Sequence, residues 1–233
     1  MPRTGDRVGR QASPLTGADV ERLPGSCATC LFWELGACCP APRTGMIPGW
    51  SRIEPPSEPG IRKQAWVSAR EQEWGPPGRI VELDGEVIAY ALFGPAAAFR
   101  VRGPLVPRPD ADALLLATAW VRPTEREAGI GRLLLRSAIR EAVRRDIDAV
   151  EVFGDRRFQE RACLLPAFWL LREGFEVRAE HPRTPLLRLE VRRTARWAGS
   201  LEHAWEEVLG RIPHRAPVRT PVPGALGRSV TRS

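Results

Sequence analysis

Two closely spaced glycines, Gly129 and Gly131, lie between arginines and at the start of a helix-forming segment. The start of a helix leaves backbone N–H groups without partners, and the helix dipole adds partial positive charge there. Glycines let the backbone approach a bulky anion closely, and Arg126 and Arg132 add formal positive charge on either side. These residues therefore predict a binding site for a pyrophosphate group.

The elements that must position these glycines are a buried strand and a helix. Residues Ala113–Val121 form an apolar run that is too long and unbroken for a solvated edge strand, and Pro123 ends it. Residues Arg132–Arg144 then have helical spacing.

Two other types of phosphate-binding loop fit these residues less well. A Walker loop needs wider glycine spacing and a lysine, and a dinucleotide fingerprint needs three glycines.

The stretch Val121-x-Pro123-x-x-Arg126-x-x-Gly129-Ile130-Gly131 resembles the acyl-CoA-binding motif of the GCN5-related N-acetyltransferase (GNAT) family. In that family the loop amides hold the CoA pyrophosphate, and a backbone N–H of the preceding strand polarises the thioester carbonyl. The resemblance implies that acetyl-CoA contacts Trp120, Val121, Arg122, Arg126, Glu127, Ala128, Gly129, Ile130, Gly131, Arg132 and Cys163.

The resemblance covers about residues 62–192 and implies an α/β (α+β) fold of the GNAT type, with a mixed central sheet splayed at the acyl-CoA site. A later helix followed by Gly174-Phe175-Glu176-Val177 also matches the family pattern. The predicted helices are Arg62–Trp74, Arg132–Arg144, Leu164–Arg172 and Leu201–Leu209. The predicted strands are Arg79–Leu83, Glu86–Phe93, Ala113–Val121, Asp148–Phe153, Phe175–Ala179 and Leu186–Val191, and Asp84-Gly85 is a hairpin signal.

Catalytic side chains are less clearly marked. The family often has a carboxylate on the strand before the loop, which residues 113–121 lack, and a tyrosine where Leu170 stands. Glu151 lies on the strand beside the expected CoA gap, and His181 lies in the last hairpin near the acceptor, so both are candidate bases. Cys163 stands where the family often has a CoA-contacting Asn, at the expected start of a helix.

Four of the five cysteines, Cys27, Cys30, Cys38 and Cys39, fall within thirteen residues. A C-x-x-C pair suggests metal or redox chemistry, and four thiolates could hold zinc, although two adjacent cysteines suit one tetrahedron poorly. The alternative is a small apolar plug that packs against the main domain. The metal content is therefore left open.

The chain has 233 residues and a net charge of +7, and Lys63 is its only lysine. The arginine surplus suits the phosphates of CoA, and we do not expect a nucleic acid partner. No apolar run approaches the ~18 residues of a membrane span, and the N-terminal residues lack the apolar core of a signal peptide. We therefore expect a cytoplasmic protein without membrane attachment.

The composition predicts four parts. Residues 1–60 form a flexible N-terminal extension with the cysteine cluster at 27–39 and a Pro/Gly-rich linker, and residues 61–195 form the GNAT domain. Residues 196–212 form a C-terminal helix, and residues 213–233 form a disordered basic tail.

The expected activity is acetyl transfer from acetyl-CoA to an amine of a small molecule or protein. The alternative is a non-catalytic, acyl-CoA-sensing regulatory protein, and a dimer is one option for the oligomeric state.

Overall fold

The computed structural model describes residues 11–24, 28–36, 59–100, 105, 107–157 and 163–191. Its strands are β1 (Ala12–Pro14), β2 (Gly78–Leu83), β3 (Glu86–Pro95), β4 (Ala113–Val121), β5 (Ala149–Asp155), β6 (Leu165–Pro166), β7 (Glu176–Ala179) and β8 (Leu186–Glu190). Its α-helices are α1 (Phe32–Leu35), α2 (Pro59–Glu73), α3 (Ile130–Arg144) and α4 (Ala167–Arg172). The predicted C-terminal helix and basic tail lie outside the described residues.

The strands form one mixed sheet with the order β1-β2-β3-β4-β5-β8-β7, and β6 pairs with β5 beside this path. Strands β4 and β5 run parallel, whereas the other neighbours along the path are antiparallel. The predicted hairpin between β2 and β3 is confirmed. Its turn residues Asp84 and Gly85 both have positive φ, which is the reason for the Asp-Gly signal.

Helices cover both faces of the sheet. Helix α3 buries one stripe of small and apolar side chains, including Leu134, Ala138 and Ala142, against the face that also carries Val150 and Leu187. The opposite face packs against α1 and α2 through residues such as Trp33 and Val67. This three-layer arrangement buries both faces of β4 and β5 and explains why their sequences read as nearly continuous apolar runs.

A β-bulge interrupts strand β4 in its middle. Leu92 pairs with Thr118 and Phe93 pairs with Leu116, so Ala117 is an extra residue on β4. The extra residue reverses the alternation of side chains. Leu116 before the bulge and Val121 after it both face α3, whereas in a regular strand an even-numbered and an odd-numbered residue face opposite sides. The strand is buried from Ala113 to Thr118 and partly exposed beyond, so its second half reaches the surface.

The parallel strands β4 and β5 are paired only at their beginnings. The ladder consists of Ala113 with Ala149, Leu114 with Val150, and Leu115 with Glu151. Beyond this point β5 pairs on that edge with β6, where Gly154 lies opposite Leu165. The predicted splay of the central sheet is therefore present, and it begins next to the bulge.

Two regions differ from the sequence-based expectation. Helix α4 begins at Ala167 and not at Leu164, because Pro166 is extended and disfavours helical geometry in the residue before it. Residues 11–24, expected to be flexible, add strand β1 to the edge of the sheet and bury Leu15 and Val20 completely. Strand β1 has no β-branched residue, so its pairing with β2 could not be inferred from local propensity.

Candidate active site

The glycine loop lies at the beginning of α3. Residues Pro123–Ala128 form a 3-10 turn, Gly129 follows with φ +78°, and α3 begins at Ile130. Gly129 makes no side-chain cap, and a Cβ atom placed on it would meet nothing within 4 Å. The space beside Gly129 is therefore open, at a helix start whose unpaired backbone N–H groups suit an anion.

The three arginines near the loop already have partners. Arg132 donates from Nε to both carboxylate oxygens of Glu173, at 2.8 and 3.0 Å. Arg122 contacts Glu86 at 2.7 Å, and Arg126 donates from Nε to the carbonyl of Val121 at 3.4 Å. The side chain of Arg132 remains 56% exposed, so its other nitrogens can still reach an anion.

The open half of β4 provides the main-chain groups near the gap. The N–H of Arg122 donates to the carbonyl of Ile88 at 2.8 Å, so it points toward β3 and is not available to a thioester. Backbone N–H groups alternate between the two edges of a strand, so the N–H of Trp120 also points toward β3. The N–H of Val121 then points toward the gap. Of the predicted residues 120–122, only Val121 therefore directs its backbone N–H toward the gap.

The predicted base Glu151 lies in the last pair of the β4–β5 ladder, opposite Leu115, where the two strands begin to separate. Its carboxylate is fully buried and accepts a hydrogen bond from the N–H of Asp110 at 2.8 Å. It also contacts Arg188 at 3.1 Å and Arg178 at 3.3 Å. The carboxylate thus forms ion pairs with two guanidinium groups and connects the 107–112 loop to β8.

The same network acts on Arg188. Burial alone would lower the pKa of its guanidinium, but hydrogen bonds and charges of Glu190 and Glu151 outweigh burial and raise the pKa above its ordinary value. Arg188 therefore stays protonated beside the carboxylate of Glu151.

The predicted base His181 lies in the β7–β8 hairpin. Its Nδ1 accepts hydrogen bonds from the backbone N–H groups of Thr184 at 2.9 Å and Arg183 at 3.3 Å. Because Nδ1 is an acceptor, the neutral ring carries its proton on Nε2. In this tautomer His181 can donate a hydrogen bond from Nε2, but its accepting nitrogen is already used within the hairpin.

The predicted cofactor contact Cys163 lies before β6 and not at the start of a helix. It has an unusual positive φ of +38°, and its carbonyl accepts a hydrogen bond from Nε1 of Trp33 at 3.4 Å. Its Sγ lies 3.9 Å from Sγ of Cys30. Cys163 therefore contacts the N-terminal segment and does not lie at a helix start, since α4 begins only at Ala167.

Leu170 stands where the family has its tyrosine. Its side chain is fully buried in the core between α4 and the sheet. The structure thus gives this position a packing role.

Sequence reasoning missed two features on the face opposite α3. Asp155 ends β5 with a fully buried carboxylate, which accepts a hydrogen bond from the N–H of Arg157 at 2.9 Å and lies 4.0 Å from Nε of Arg183. Trp33 of α1 stacks on Phe153 of β5 with ring centroids 6.4 Å apart. In the sequence, only the Gly-Asp pair at a strand end marked Asp155. Only the apolar character of the cysteine segment marked Trp33.

The cysteine segment packs as an apolar plug over its described part. Cys30, Leu31 and Trp33 are buried, and Nζ of Lys63 contacts the carbonyl of Cys30 at 2.9 Å and the carboxylate of Glu34. Burial raises the pKa of Glu34, and the charge and hydrogen bond of Lys63 oppose that rise. Over the described ranges, no three His, Cys, Asp or Glu side chains could hold a metal ion. Since Cys27, Cys38 and Cys39 lie outside those ranges, the zinc site stays a prediction.

A splayed pair of parallel strands, followed by a glycine loop at a helix start, is an arrangement that can bind a phosphorylated acyl carrier between the two strands. Residues 47–165 match the acetyltransferase (GNAT) family, and the chain belongs to that family. The predicted fold and the predicted activity, acetyl transfer from acetyl-CoA by a GNAT-type N-acetyltransferase, are confirmed at this level. No curated protein matches the chain.

Several solved structures share the fold at low sequence identity. The PaiA N-acetyltransferase of Thermoplasma acidophilum, in complex with coenzyme A, is 13% identical with a TM-score of 0.50, covering 78% of this chain and 99% of that one. The putative acetyltransferase YncA of Salmonella typhimurium, with acetyl-CoA, is 18% identical with a TM-score of 0.50, covering 78% and 94%. An N-acetyltransferase from Staphylococcus aureus Mu50 is 14% identical with a TM-score of 0.50, covering 79% and 99%.

None of the helices among the described residues is long and apolar enough to cross a membrane.

Proposed function

We propose that acetyl-CoA binds with its pyrophosphate at Gly129–Arg132 and its thioester in the gap between β4 and β5. The observation that supports this most strongly is the end of the β4–β5 ladder at Leu115 and Glu151, on the strand that leads directly into the glycine loop. The relatives of the same fold that hold coenzyme A and acetyl-CoA support the same ligand. Of the implied contacts, Gly129, Ile130 and Gly131 supply main-chain N–H groups, and Val121 supplies the donor for the carbonyl.

In this proposal the acceptor amine approaches from the face that carries α1, α2 and the β7–β8 hairpin. The amine nitrogen attacks the thioester carbon, a C–N bond forms, and the C–S bond breaks. Coenzyme A leaves as a thiolate, and the proton lost by the amine passes to water or to a nearby base. A thiol with a pKa near ~8.5 is a fair leaving group at neutral pH without a proton donor. The absence of a tyrosine at Leu170 is therefore compatible with turnover.

The geometry changes the choice among the candidate bases. Glu151 lies in the last pair of the β4–β5 ladder and forms ion pairs with two arginines, so we propose it as a structural carboxylate. Asp155 lies at the open end of β5 and, by strand alternation, on the same face as Phe153. Asp155 is likewise fully buried and is held by the N–H of Arg157 and by Arg183, so we propose it as a second structural carboxylate, with His181 as a hydrogen-bond donor to the acceptor from Nε2.

The proposal also includes a cellular location and a class of acceptor. A cytoplasmic location fits the use of acetyl-CoA and the thiols of Cys30 and Cys163. The acceptor is an amine of a small molecule or of a protein. The alternative of a non-catalytic, acyl-CoA-sensing protein is favoured by two observations: β4 carries no carboxylate, and Leu170 is part of the core.

A coupled thiol-release assay with the purified full-length chain, acetyl-CoA and a panel of amines tests this function. The panel contains aliphatic and aromatic amines and peptides with free N-termini, and mass spectrometry identifies the acetylated product. Turnover with any amine above the rate of acetyl-CoA hydrolysis supports the enzyme. Binding of acetyl-CoA by calorimetry, without turnover across the panel, supports the regulatory alternative. Absence of both contradicts the proposal.

A further inference from the structure

The structure brings together two cysteines that are 133 residues apart in the sequence. Sγ of Cys30 and Sγ of Cys163 lie 3.9 Å apart. Cys30 belongs to the N-terminal segment 28–36, which lies outside the part of the chain that matches the family, residues 47–165. Cys163 directly precedes the β6 segment that pairs with the open end of β5. The thiol pair therefore connects a segment outside the family match to the border of the acyl-CoA gap.

Other contacts hold the two thiols in this position. On the Cys30 side, Nζ of Lys63 contacts the carbonyl of Cys30 at 2.9 Å and forms a buried ion pair with Glu34. On the Cys163 side, Nε1 of Trp33 donates to the carbonyl of Cys163. The chain's only lysine is thus used to fix this segment. The proximity of the thiols is consequently supported by hydrogen bonds from two elements, Lys63 of α2 and Trp33 of α1.

The backbone of Cys163 has an uncommon conformation. Its φ is +38°, in the left-handed region that residues with a Cβ atom adopt only when their surroundings impose it. Cys163 is partly exposed, whereas Cys30 is 6% exposed. The two thiols therefore differ in access, so an oxidant reaches Cys163 first and Cys30 lies behind it.

We propose that Cys30 and Cys163 are an oxidation site, at which a peroxide converts the two thiols to a reversible disulfide. The thiolate of Cys163 attacks the O–O bond of the peroxide, which gives a sulfenic acid and one water or alcohol. The thiol of Cys30 then attacks the sulfenic sulfur, the S–S bond forms, and water leaves. The two sulfurs lose two electrons and two protons in total, which reduce the peroxide. A dithiol reductant reverses the reaction.

The disulfide fastens segment 28–36 to the connection before β6. The two sulfurs must approach from 3.9 Å to about 2.05 Å, which side-chain rotation and a small shift of the partly exposed Cys163 can supply. The loop that becomes closed is long, so the oxidised protein is more stable than the reduced one. This proposal goes beyond the acetyl-transfer function and does not depend on it.

The test uses a full-length variant in which only the two relevant thiols remain. Cys27→Ser, Cys38→Ser and Cys39→Ser together leave Cys30 and Cys163 out of five cysteines. The folded variant is treated with hydrogen peroxide, and thiols are counted after denaturation. Two matched controls add either Cys30→Ser or Cys163→Ser, and a third oxidises the variant in urea.

We expect the thiol count to fall from two to none per chain, with a monomeric product lighter by about 2 Da. The melting temperature should rise by roughly 5 °C or more and return after dithiothreitol. The single-thiol controls should show neither change. Oxidation of Cys163 to sulfinic acid with Cys30 still a thiol would overturn the proposal, as would disulfide formation at the same rate in urea.

The wild-type chain gives a second measurement that does not depend on how the variants fold. Trypsin cleaves after arginine and leaves Cys30 on the peptide 23–43 and Cys163 on the peptide 162–172. In oxidised native protein these two peptides should be joined, and fragmentation should place the bond at Cys30. A bond from Cys163 to Cys27, Cys38 or Cys39 in most of the product would contradict the pairing.

Discussion

Substitution of Gly131 by aspartate should separate the stability of the protein from its affinity for acetyl-CoA. Gly131 lies in the first turn of α3, and a Cβ atom there would meet only Cζ2 of Trp169, at an ordinary 3.6 Å. The new side chain therefore fits without a clash. A negative charge in the first helical turn interacts favourably with the helix dipole, by about 0.3–1 kcal/mol. We expect Gly131→Asp to be as stable as the parent or slightly more stable.

The same charge should weaken binding of the pyrophosphate. For two unit charges about 6 Å apart, Coulomb's law gives about 3 kcal/mol at an effective dielectric constant of about 20, and less than 1 kcal/mol in water. The loop is exposed, so the cost should lie between about 1 and 3 kcal/mol, which is roughly a 5- to 150-fold loss of affinity. Gly131→Asn has nearly the same shape without the charge and is the matched control.

The assay is isothermal titration calorimetry with acetyl-CoA on both variants, beside urea unfolding of each. The reasoning predicts weak binding by Gly131→Asp, near-parental binding by Gly131→Asn, and equal or greater stability of the aspartate variant. Because the field of a charge is screened by salt, the difference between the two variants should shrink at high ionic strength. Equal affinities in two folded variants at low salt would refute the placement of the pyrophosphate at this helix start.

Three further substitutions test the surroundings of the site. Glu173→Gln should release Arg132 and raise the affinity for acetyl-CoA two- to fivefold by calorimetry; weaker binding would contradict this competition. Glu151→Gln should lower the free energy of unfolding by roughly 2 kcal/mol while the acetyl-CoA affinity stays within about twofold, and a loss of kcat without a loss of stability would restore its role as base. Lys63→Met should cost about 3 kcal/mol at neutral pH. Burial raises the pKa of Glu34. The stability linked to its protonated carboxyl is therefore fully present below the ordinary pKa of a glutamate, and it is lost as the pH rises through the raised pKa. Removal of Lys63 takes away the opposing charge, so the cost in urea unfolding should be larger at pH 8 than at pH 5; a cost independent of pH would contradict the account.

Short-range signals in the sequence were sufficient for the glycine loop and the hairpin. Gly129 and Gly85 both have positive φ, and glycine adopts this conformation at little cost. The helical spacing of α3 and the unbroken apolar run of β4 also translated directly into buried elements. These features depend on a few adjacent residues, so the sequence alone predicts them.

Features that depend on distant residues were not predictable. The bulge at Ala117 lies inside an apolar run in which no residue marks it, and it follows from the register with β3. The ion-pair partners of Glu151, Arg178 and Arg188, are 27 and 37 residues further along the chain. The sequence near Glu151 does not show these partners, so Glu151 was predicted to be a base. The neighbour of Cys163 is Cys30, which local sequence around either cysteine cannot indicate.

Amide hydrogen exchange with and without acetyl-CoA tests the central claim most directly, because it locates the ligand on the backbone without requiring an acceptor. The account predicts slower exchange in the glycine loop and first turn of α3, residues 129–133, and at the end of β4 around Val121. Little change is expected at the paired beginnings of the two strands, around Ala113 and Ala149. Slower exchange confined to other elements, with residues 129–133 unchanged under saturating acetyl-CoA, would contradict the account.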